Sequence, residues 1–178
     1  MATLSEDRSY RAQLIGDICM SWSAIESIVA LITWQLLSMD EGTGRIVTGG
    51  LDMLPRISMA IALARHLKAG REIITPLEAL RKTIQDGLDQ RRNQAVHGIN
   101  QVRDGKWLVE MHRGTKRGPP QELPVSDLRA TLAELHTAQN TLGESMLAWA
   151  PGWLRARAAH MAAKTRTVAE DTASSPGS

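Results

Sequence analysis

The residue types best suited to chemistry lie together in Arg92-Asn93-Gln94-Ala95-Val96-His97-Gly98. An arginine supplies a fixed positive charge that can hold a phosphate, and a histidine can take up and release a proton near neutral pH. Asn93 could orient either the phosphate or the imidazole. These groups suit metal-free cleavage of RNA in which the ribose 2′-hydroxyl is the nucleophile. Arg92, Asn93 and His97 are therefore the candidate catalytic residues.

The spacing of Arg92 and His97 is an obstacle to this chemistry. Residues five apart on an ideal helix lie about 140° apart around its axis. Either the helix end unwinds before Gly98, or a two-fold related copy of the chain completes the site. The structural alternatives are a His97 that interacts with the helix dipole, an Arg92 ion-paired with Glu26 or Asp89, and an Asn93 that is ordinary polar surface.

One helix is predicted to carry these residues. Its apolar residues recur at helical spacing and lead to Arg91 or Arg92: Leu77, Leu80, Ile84 and Leu88. Thr75-Pro76-Leu77-Glu78 has the form of a capping box, which predicts that the helix begins near residue 76. Gly98 is a natural terminator. An arginine at the edge of an apolar face needs an anion or another partner.

A long first helix is predicted from about residue 5 to residue 38. Its apolar face comprises Leu14, Ile18, Trp22, Ile25, Val29, Ile32 and Leu36. Glu26 stands at the edge of this face, where a carboxylate needs a cation or hydrogen-bond donors. This gives Glu26 a supporting role beside Arg92. Alternatively, Glu26 extends to solvent or caps a neighbouring turn.

The remaining segments predict a mostly all-α fold, a bundle of four to five main helices with one small β-hairpin after the motif helix. The glycines of residues 41–50 lack the Lys-Ser/Thr of a phosphate loop, so this segment is predicted to be a connection with a short helix. Asp104-Gly105 predicts the hairpin turn, and residues 113–124 a loop. Ser126 opens a last helix that Pro151 is expected to stop. Residues 1–150 would form the bundle and residues 151–178 a partly helical, then disordered tail.

The cysteine content fits a reducing cytoplasm, and the distribution of charge suits a polyanionic substrate. The chain has 178 residues, a single cysteine, Cys19, and no unbroken apolar run of about 18 residues, so we expect no disulfide and no membrane span. Residues 81–117 hold nine basic and four acidic residues. This excess suits a polyanion, although a charge cluster is more often simply solvated. The candidate RNA-binding residues are Arg91, Arg103, Lys106 and Arg113. The scattered histidines predict no metal site, and we expect no cofactor.

Arg92, Asn93 and His97 resemble the Arg-polar-x-x-x-His motif of the HEPN superfamily (higher eukaryote and prokaryote nucleotide-binding domains). The long first helix containing Trp22-Ser23-Ala24-Ile25-Glu26 and the hairpin after the motif extend the resemblance over roughly residues 10–145. It implies a homodimeric, metal-independent endoribonuclease in a toxin, phage-defence or RNA-restriction setting, with a cognate antitoxin or inhibitor protein as a partner. HEPN domains also include non-catalytic modules that bind nucleotide, RNA or protein. A structural bundle with a coincidental motif is the third possibility.

Overall fold

The fold is a helical bundle with a small antiparallel sheet on one side. The structure, a computed structural model, describes the backbone of residues 4–103, 105–113 and 116–173, and the side chains of residues 7–103, 105–111 and 118–152. Its helices are α1 (Leu4–Leu37), α2 (Glu41–Thr48), α3 (Met53–His66), α4 (Arg71–Thr83), α5 (Asp89–His97) and α6 (Val125–Ala173). The predicted mostly-α bundle with a small β-hairpin is confirmed.

Helix α1 is the centre of the bundle. All seven residues of its predicted apolar face are buried, at most 5% exposed. Helix α1 packs against α6 and α3, and α4 packs against both α3 and α6. Burial of a continuous apolar face against two neighbours is what stabilises a helix of this length. The prediction for the first helix is therefore confirmed.

Helix α1 bears on the expectation that the chain has no membrane span. Its residues Asp7–Leu37 are long and apolar enough to cross a bilayer, judged by length and composition alone. Core helices of soluble proteins meet the same criterion, and the apolar row of α1 packs inside this bundle. A helix can therefore qualify as a candidate span without an unbroken apolar run, so the lack of such a run does not by itself exclude a span.

The motif helix is two helices joined by a kinked turn, Ile84–Leu88. Within this turn Gly87 has φ 109° and ψ 5°, a backbone conformation that favours glycine. Ile84 and Leu88 are both buried on either side of Gly87. The apolar stripe thus continues through the turn to the half-buried Arg91 and Arg92, as predicted, but the single uninterrupted helix was wrong.

The predicted start of the motif helix near residue 76 is also wrong. Helix α4 begins at Arg71, after Gly70, and Pro76 lies inside it. The reason is Ile73, which is fully buried on the same face as Leu77. Burying this extra apolar side chain stabilises one more turn than the local capping signal predicts.

The sheet begins directly after α5. Strands β1 (Ile99–Arg103) and β2 (Lys106–Glu110) form the predicted hairpin, with Asn100 opposite Val109. The position of Asp104 in the turn lies outside the described residues. The predicted loop was partly wrong. It contains the short pair β3 (His112–Arg113) and β4 (Lys116–Arg117) and a third sheet strand, β5 (Gln121–Glu122), which pairs with β2. Burial of Leu123, whose N–H bonds the Trp107 carbonyl at 3.0 Å, holds β5 there.

Helix α6 is longer than predicted. It begins at Val125, close to the expected Ser126, but runs through Pro151 to Ala173. Proline removes the hydrogen bond to the carbonyl of residue 147. Leu147 is 71% exposed, so water can bond that carbonyl. Pro151 therefore does not stop the helix. The tail predicted for residues 151–178 is helical as far as Ala173, and residues 174–178 lie outside the described residues.

Candidate active site

Helix α5 is held between three elements by its polar side chains. The guanidinium of Arg91 bonds the carboxylate of Glu134 on α6 at 2.5 Å. Arg92 lies over the ring of Trp22 on α1, with 5.0 Å between the guanidinium carbon and the ring centroid. Gln94 donates to the Gln121 side chain of β5 at 3.0 Å. This short and polar helix is thus positioned by its partners more than by its own apolar surface.

Arg92, Asn93 and His97 form one connected cluster in a single chain. Arg92 Nη1 donates to Asn93 Oδ1 at 2.7 Å and lies 3.2 Å from His97 Nε2. An arginine can only donate, so a hydrogen bond across this contact requires the His97 tautomer that carries its proton on Nδ1. The length of the arginine side chain bridges the angular separation that an ideal helix imposes. Neither an unwound helix end nor a second copy of the chain is needed to bring these groups together.

Asp89 fixes the orientation of the cluster from one turn earlier in α5. Asn93 Nδ2 donates to Asp89 Oδ2 at 3.2 Å. This bond determines which side of the amide is the acceptor, so Asn93 Oδ1 faces Arg92. A chain of hydrogen bonds therefore runs from the Asp89 carboxylate to the His97 imidazole.

A pocket of about 370 Å³ adjoins Arg92 on the side of α1. We call it the Arg92 pocket; its charged lining residues are Glu26, Asp52, Asp89 and Arg92. Three carboxylates against one cation make it unfavourable for a phosphate. The exposed His97 does not line this pocket. The Arg92 pocket is therefore a poor candidate for the phosphate side of the site.

Glu26 lies in the Arg92 pocket without touching Arg92. Among the described side chains, no ion pair joins Arg92 to Glu26 or to Asp89, so the alternative of a simple salt bridge is wrong. The Nε of Arg92 is buried and has no hydrogen-bond partner in the described part of the chain. The Glu26 carboxylate lines the same pocket, so its negative charge can still stabilise the half-buried Arg92 guanidinium by electrostatic attraction without direct contact.

The predicted RNA-binding residues are dispersed. Arg91 is engaged with Glu134, and Lys106 lies 3.1 Å from Glu122 in an exposed ion pair. Arg103 is exposed at the end of β1, roughly 20 Å of extended strand from His97. The side chain of Arg113 lies outside the described residues. The structure thus gathers the catalytic candidates and leaves Arg103 and Lys106 at the far end of the hairpin.

Gly98 joins the site to the sheet through a close approach of its backbone. A β carbon at this position would lie 1.9 Å from Val109 Cγ2 and 2.5 Å from the carbonyl oxygen of Gln94. Val109 is only 2% exposed, so it cannot move aside freely.

We expect Gly98→Ala to lower the free energy of unfolding by about 1–3 kcal/mol, because the added methyl overpacks this contact. Urea denaturation measures the change. Gly16→Ala is the matched control, since a β carbon at this exposed helical position meets nothing within 4 Å. The control is expected to raise stability by about 0.5–1 kcal/mol through helix propensity. Equal effects of the two substitutions would contradict the proposed close approach.

Two further residues of the cluster were missed from the sequence as site residues. Asp89 could have been found, because it precedes Asn93 by four positions and so lies on the same helix face. Trp22 gave no such signal for its contact with Arg92, because that contact joins α1 to α5 across the fold. Within the described residues, no group of His, Cys, Asp and Glu side chains is arranged to hold a metal ion.

Comparisons of the chain with protein-family models, curated proteins and solved structures find no match.

Proposed function

We propose that this protein is a metal-independent endoribonuclease that cleaves RNA through the ribose 2′-hydroxyl, with Arg92 and His97 as its catalytic residues. The observation that carries the proposal is the 3.2 Å separation of Arg92 Nη1 and His97 Nε2 within one chain. A cation and a proton acceptor this close can act on the same phosphodiester. The motif's resemblance to HEPN ribonucleases supports the same reaction and a toxin, phage-defence or RNA-restriction role.

The reaction would proceed by transfer within the RNA strand. His97 Nε2 takes the proton of the 2′-hydroxyl, a bond forms between the 2′-oxygen and phosphorus, and the bond from phosphorus to the 5′-oxygen breaks. The imidazolium then returns its proton to the departing 5′-oxygen. Arg92 stabilises the additional negative charge on the phosphoryl oxygens during the transfer. The products are a 2′,3′-cyclic phosphate and a 5′-hydroxyl.

Substrate binding would also free His97 to act as the general base. In the free protein the guanidinium of Arg92 lies 3.2 Å from His97 Nε2, where it can donate to the imidazole lone pair. A phosphate offers Arg92 a charged and stronger acceptor than a neutral imidazole. Transfer of Arg92 from the imidazole to the phosphate would leave Nε2 free to accept the 2′-hydroxyl proton. The exposure of His97 leaves room for this exchange.

The experiment that tests the proposal is incubation of purified protein with end-labelled single-stranded RNA in EDTA. We expect internal cuts whose upstream fragments end in a cyclic phosphate, identified by mass spectrometry. Intact RNA at every protein concentration would count against the nuclease.

Glu26 is proposed to support Arg92 electrostatically. Because the carboxylate lines the Arg92 pocket without contacting Arg92, we expect Glu26→Gln to lower the cleavage rate less than His97→Ala does. Single-turnover rates measure both effects. Asp17→Asn, an exposed substitution elsewhere on α1, is the matched control for loss of one negative charge. Equal losses in Glu26→Gln and His97→Ala, with folding intact, would instead make Glu26 a direct catalytic participant.

We still propose a homodimer, but for a reason other than the geometry of Arg92 and His97. Contact between Arg92 and His97 within one chain removes the geometric need for a second copy. The exposed apolar side chains of Met20 and Leu31 on α1 and Ile46 on α2 offer a separate reason. Met20 and Leu31 are eleven residues apart and therefore share one side of α1.

We expect a dimer by light scattering at tens of micromolar protein, and a monomer for Ile46→Glu, whose charge would be buried in the contact. Leu147→Glu is the matched control, because Leu147 is similarly exposed but lies on α6. A monomeric wild-type protein that still cleaves RNA would remove the dimer from the proposal.

The second candidate function is a non-catalytic module that binds nucleotide, RNA or a partner protein. The acidic lining of the Arg92 pocket favours it, since Glu26, Asp52 and Asp89 suit amino groups better than phosphates. The cleavage assay separates the two functions, because this module would leave RNA uncut.

A further inference from the structure

A second pocket lies between α1 and the hairpin, and we call it the hairpin pocket. Its volume is about 610 Å³, within the range of small-molecule sites. Arg8 and Arg11 of α1 and Asn100 of β1 provide polar groups on its walls. Ile15, Val102 and Trp107 provide apolar surface. The combination of cations and an apolar wall suits a ligand with an anionic part and a flat, poorly hydrated part.

Arg11 is a buried cation without a paired carboxylate. It is 3% exposed, donates to the Leu123 carbonyl, and lies 4.7 Å from the ring centroid of Trp107. Asp7, one turn earlier, accepts a hydrogen bond from Trp107 Nε1, and no ion pair joins Arg11 to a carboxylate in the described part of the chain. Burial lowers the pKa of Arg11, and the charge of Asp7 partly offsets this effect. An anion in the pocket would stabilise this guanidinium.

The hairpin pocket is close to the catalytic cluster along the chain. Asn100 and Val102 are two residues apart in β1, so both point to the same face and line the pocket. Asn100 follows His97 by three residues, which is at most about 10 Å of extended chain. Asn100 Nδ2 also donates to the carbonyl of Gly98 at 3.1 Å. A nucleic-acid strand that contacts His97 can therefore place a neighbouring nucleotide in this pocket.

We propose that the hairpin pocket binds one nucleotide of the RNA strand beside the cleaved bond, with a phosphate on Arg8 and Arg11 and the base on the wall formed by Ile15, Val102 and Trp107. The inference rests on the proposed ribonuclease function and adds a subsite to it. Asn100 offers both a donor and an acceptor to the base. Aromatic and aliphatic side chains can pack against the flat face of any nucleobase, so this subsite adds affinity with little sequence preference.

Arg11 also joins α1 to the sheet, so Arg11→Ala would disturb folding as well as binding. Arg8 and Asn100 provide the cleaner tests. Arg8 is exposed on α1, and within the described residues the Asn100 side chain bonds only to the neighbouring Gly98. Substitution of either residue is expected to leave urea denaturation within about 0.5 kcal/mol of wild type.

The test is fluorescence anisotropy with a labelled 2′-O-methyl hexauridylate, which lacks the nucleophilic hydroxyl and cannot be cut. We expect Arg8→Gln to weaken binding on the order of ten-fold, as for the loss of a hydrogen bond to a charged group, and Asn100→Ala about five-fold, as for the loss of a neutral hydrogen bond to the base. Arg71→Gln is the matched control, because Arg71 is exposed at the start of α4 and lines none of the pockets described above. It is expected to change affinity less than two-fold, roughly the effect of one distant charge.

The outcomes separate this proposal from the nuclease. Affinities for Arg8→Gln and Asn100→Ala that match Arg71→Gln would overturn the subsite, as would no binding by the wild-type protein at millimolar concentration. Binding that depends on Arg8 and Asn100, together with uncut natural RNA, would support the subsite and reject the nuclease. Cut RNA with binding indifferent to both residues would reject the subsite alone.

Discussion

His97→Ala is expected to lower the single-turnover rate of RNA cleavage by about 10²- to 10⁴-fold, the usual effect of removing a general acid-base. The fold is expected to survive, because His97 is exposed at the end of α5 and its bond with Arg92 is made at the surface. Arg92→Ala is expected to cost about 10²- to 10³-fold by removing the cation that stabilises the transition state. Asn93→Ala is expected to have a smaller effect, because Asn93 positions Arg92 through the 2.7 Å hydrogen bond.

Two controls make these losses interpretable. His136→Ala removes an exposed histidine from α6 and is expected to cleave at the wild-type rate. Arg92→Lys keeps the positive charge and the packing beside Trp22 but loses the planar fork of donors, so an intermediate rate is expected. Thermal unfolding checks that each variant is folded. A His97→Ala protein that cuts RNA at the wild-type rate would reject the mechanism.

Replacement of a single ribose by 2′-deoxyribose at the cleaved position is expected to abolish cleavage there. The mechanism has no other nucleophile, because the 2′-oxygen itself forms the new bond to phosphorus. EDTA is expected to leave the rate at neighbouring positions unchanged, since His97 supplies the base and Arg92 the charge. Gel analysis of an end-labelled RNA carrying one deoxy position measures both results in the same lane.

The unmodified positions of that RNA are the internal control for binding and for enzyme quality. Cleavage at the deoxy position would require a water nucleophile and contradict the proposed transfer. Loss of all cleavage in EDTA, with recovery in Mg²⁺, would assign the charge stabilisation to a metal ion. Either result would leave the fold and the position of His97 intact and change only the chemistry proposed for them.

The main helices were predictable because their apolar periodicity is a property of the sequence alone. The face of α1 from Leu14 to Leu36 is an example, and all seven of its residues are buried. The helix boundaries predicted at Pro76 and Pro151 were wrong. At Pro76 the burial of Ile73 outweighed the local signal for a helix start, and at Pro151 the exposure of Leu147 allowed the helix to continue. The break at Gly87 was missed because a single glycine does not reveal whether its φ is positive.

The candidate site was predicted in its residues but not in its contacts. Arg92, Asn93 and His97 were chosen from residue type, and the structure brings them together. Helical angles describe where side chains leave the backbone and not how far an arginine reaches, so they alone do not predict the contact of Arg92 with His97. The contact of Trp22 with Arg92 depends on the packing of α1 against α5, which periodicity does not determine.

The length of α6 affects how this protein behaves in solution. A straight helix of its 49 residues would span about 74 Å, compared with about 51 Å for the 34 residues of α1. A compact globule of this chain length has a radius of gyration of only about 16 Å. The protein would therefore diffuse more slowly than a sphere of its mass and elute early in gel filtration. A monomer would then resemble a dimer in an elution profile, whereas small-angle scattering would report the helix directly as a long maximum dimension.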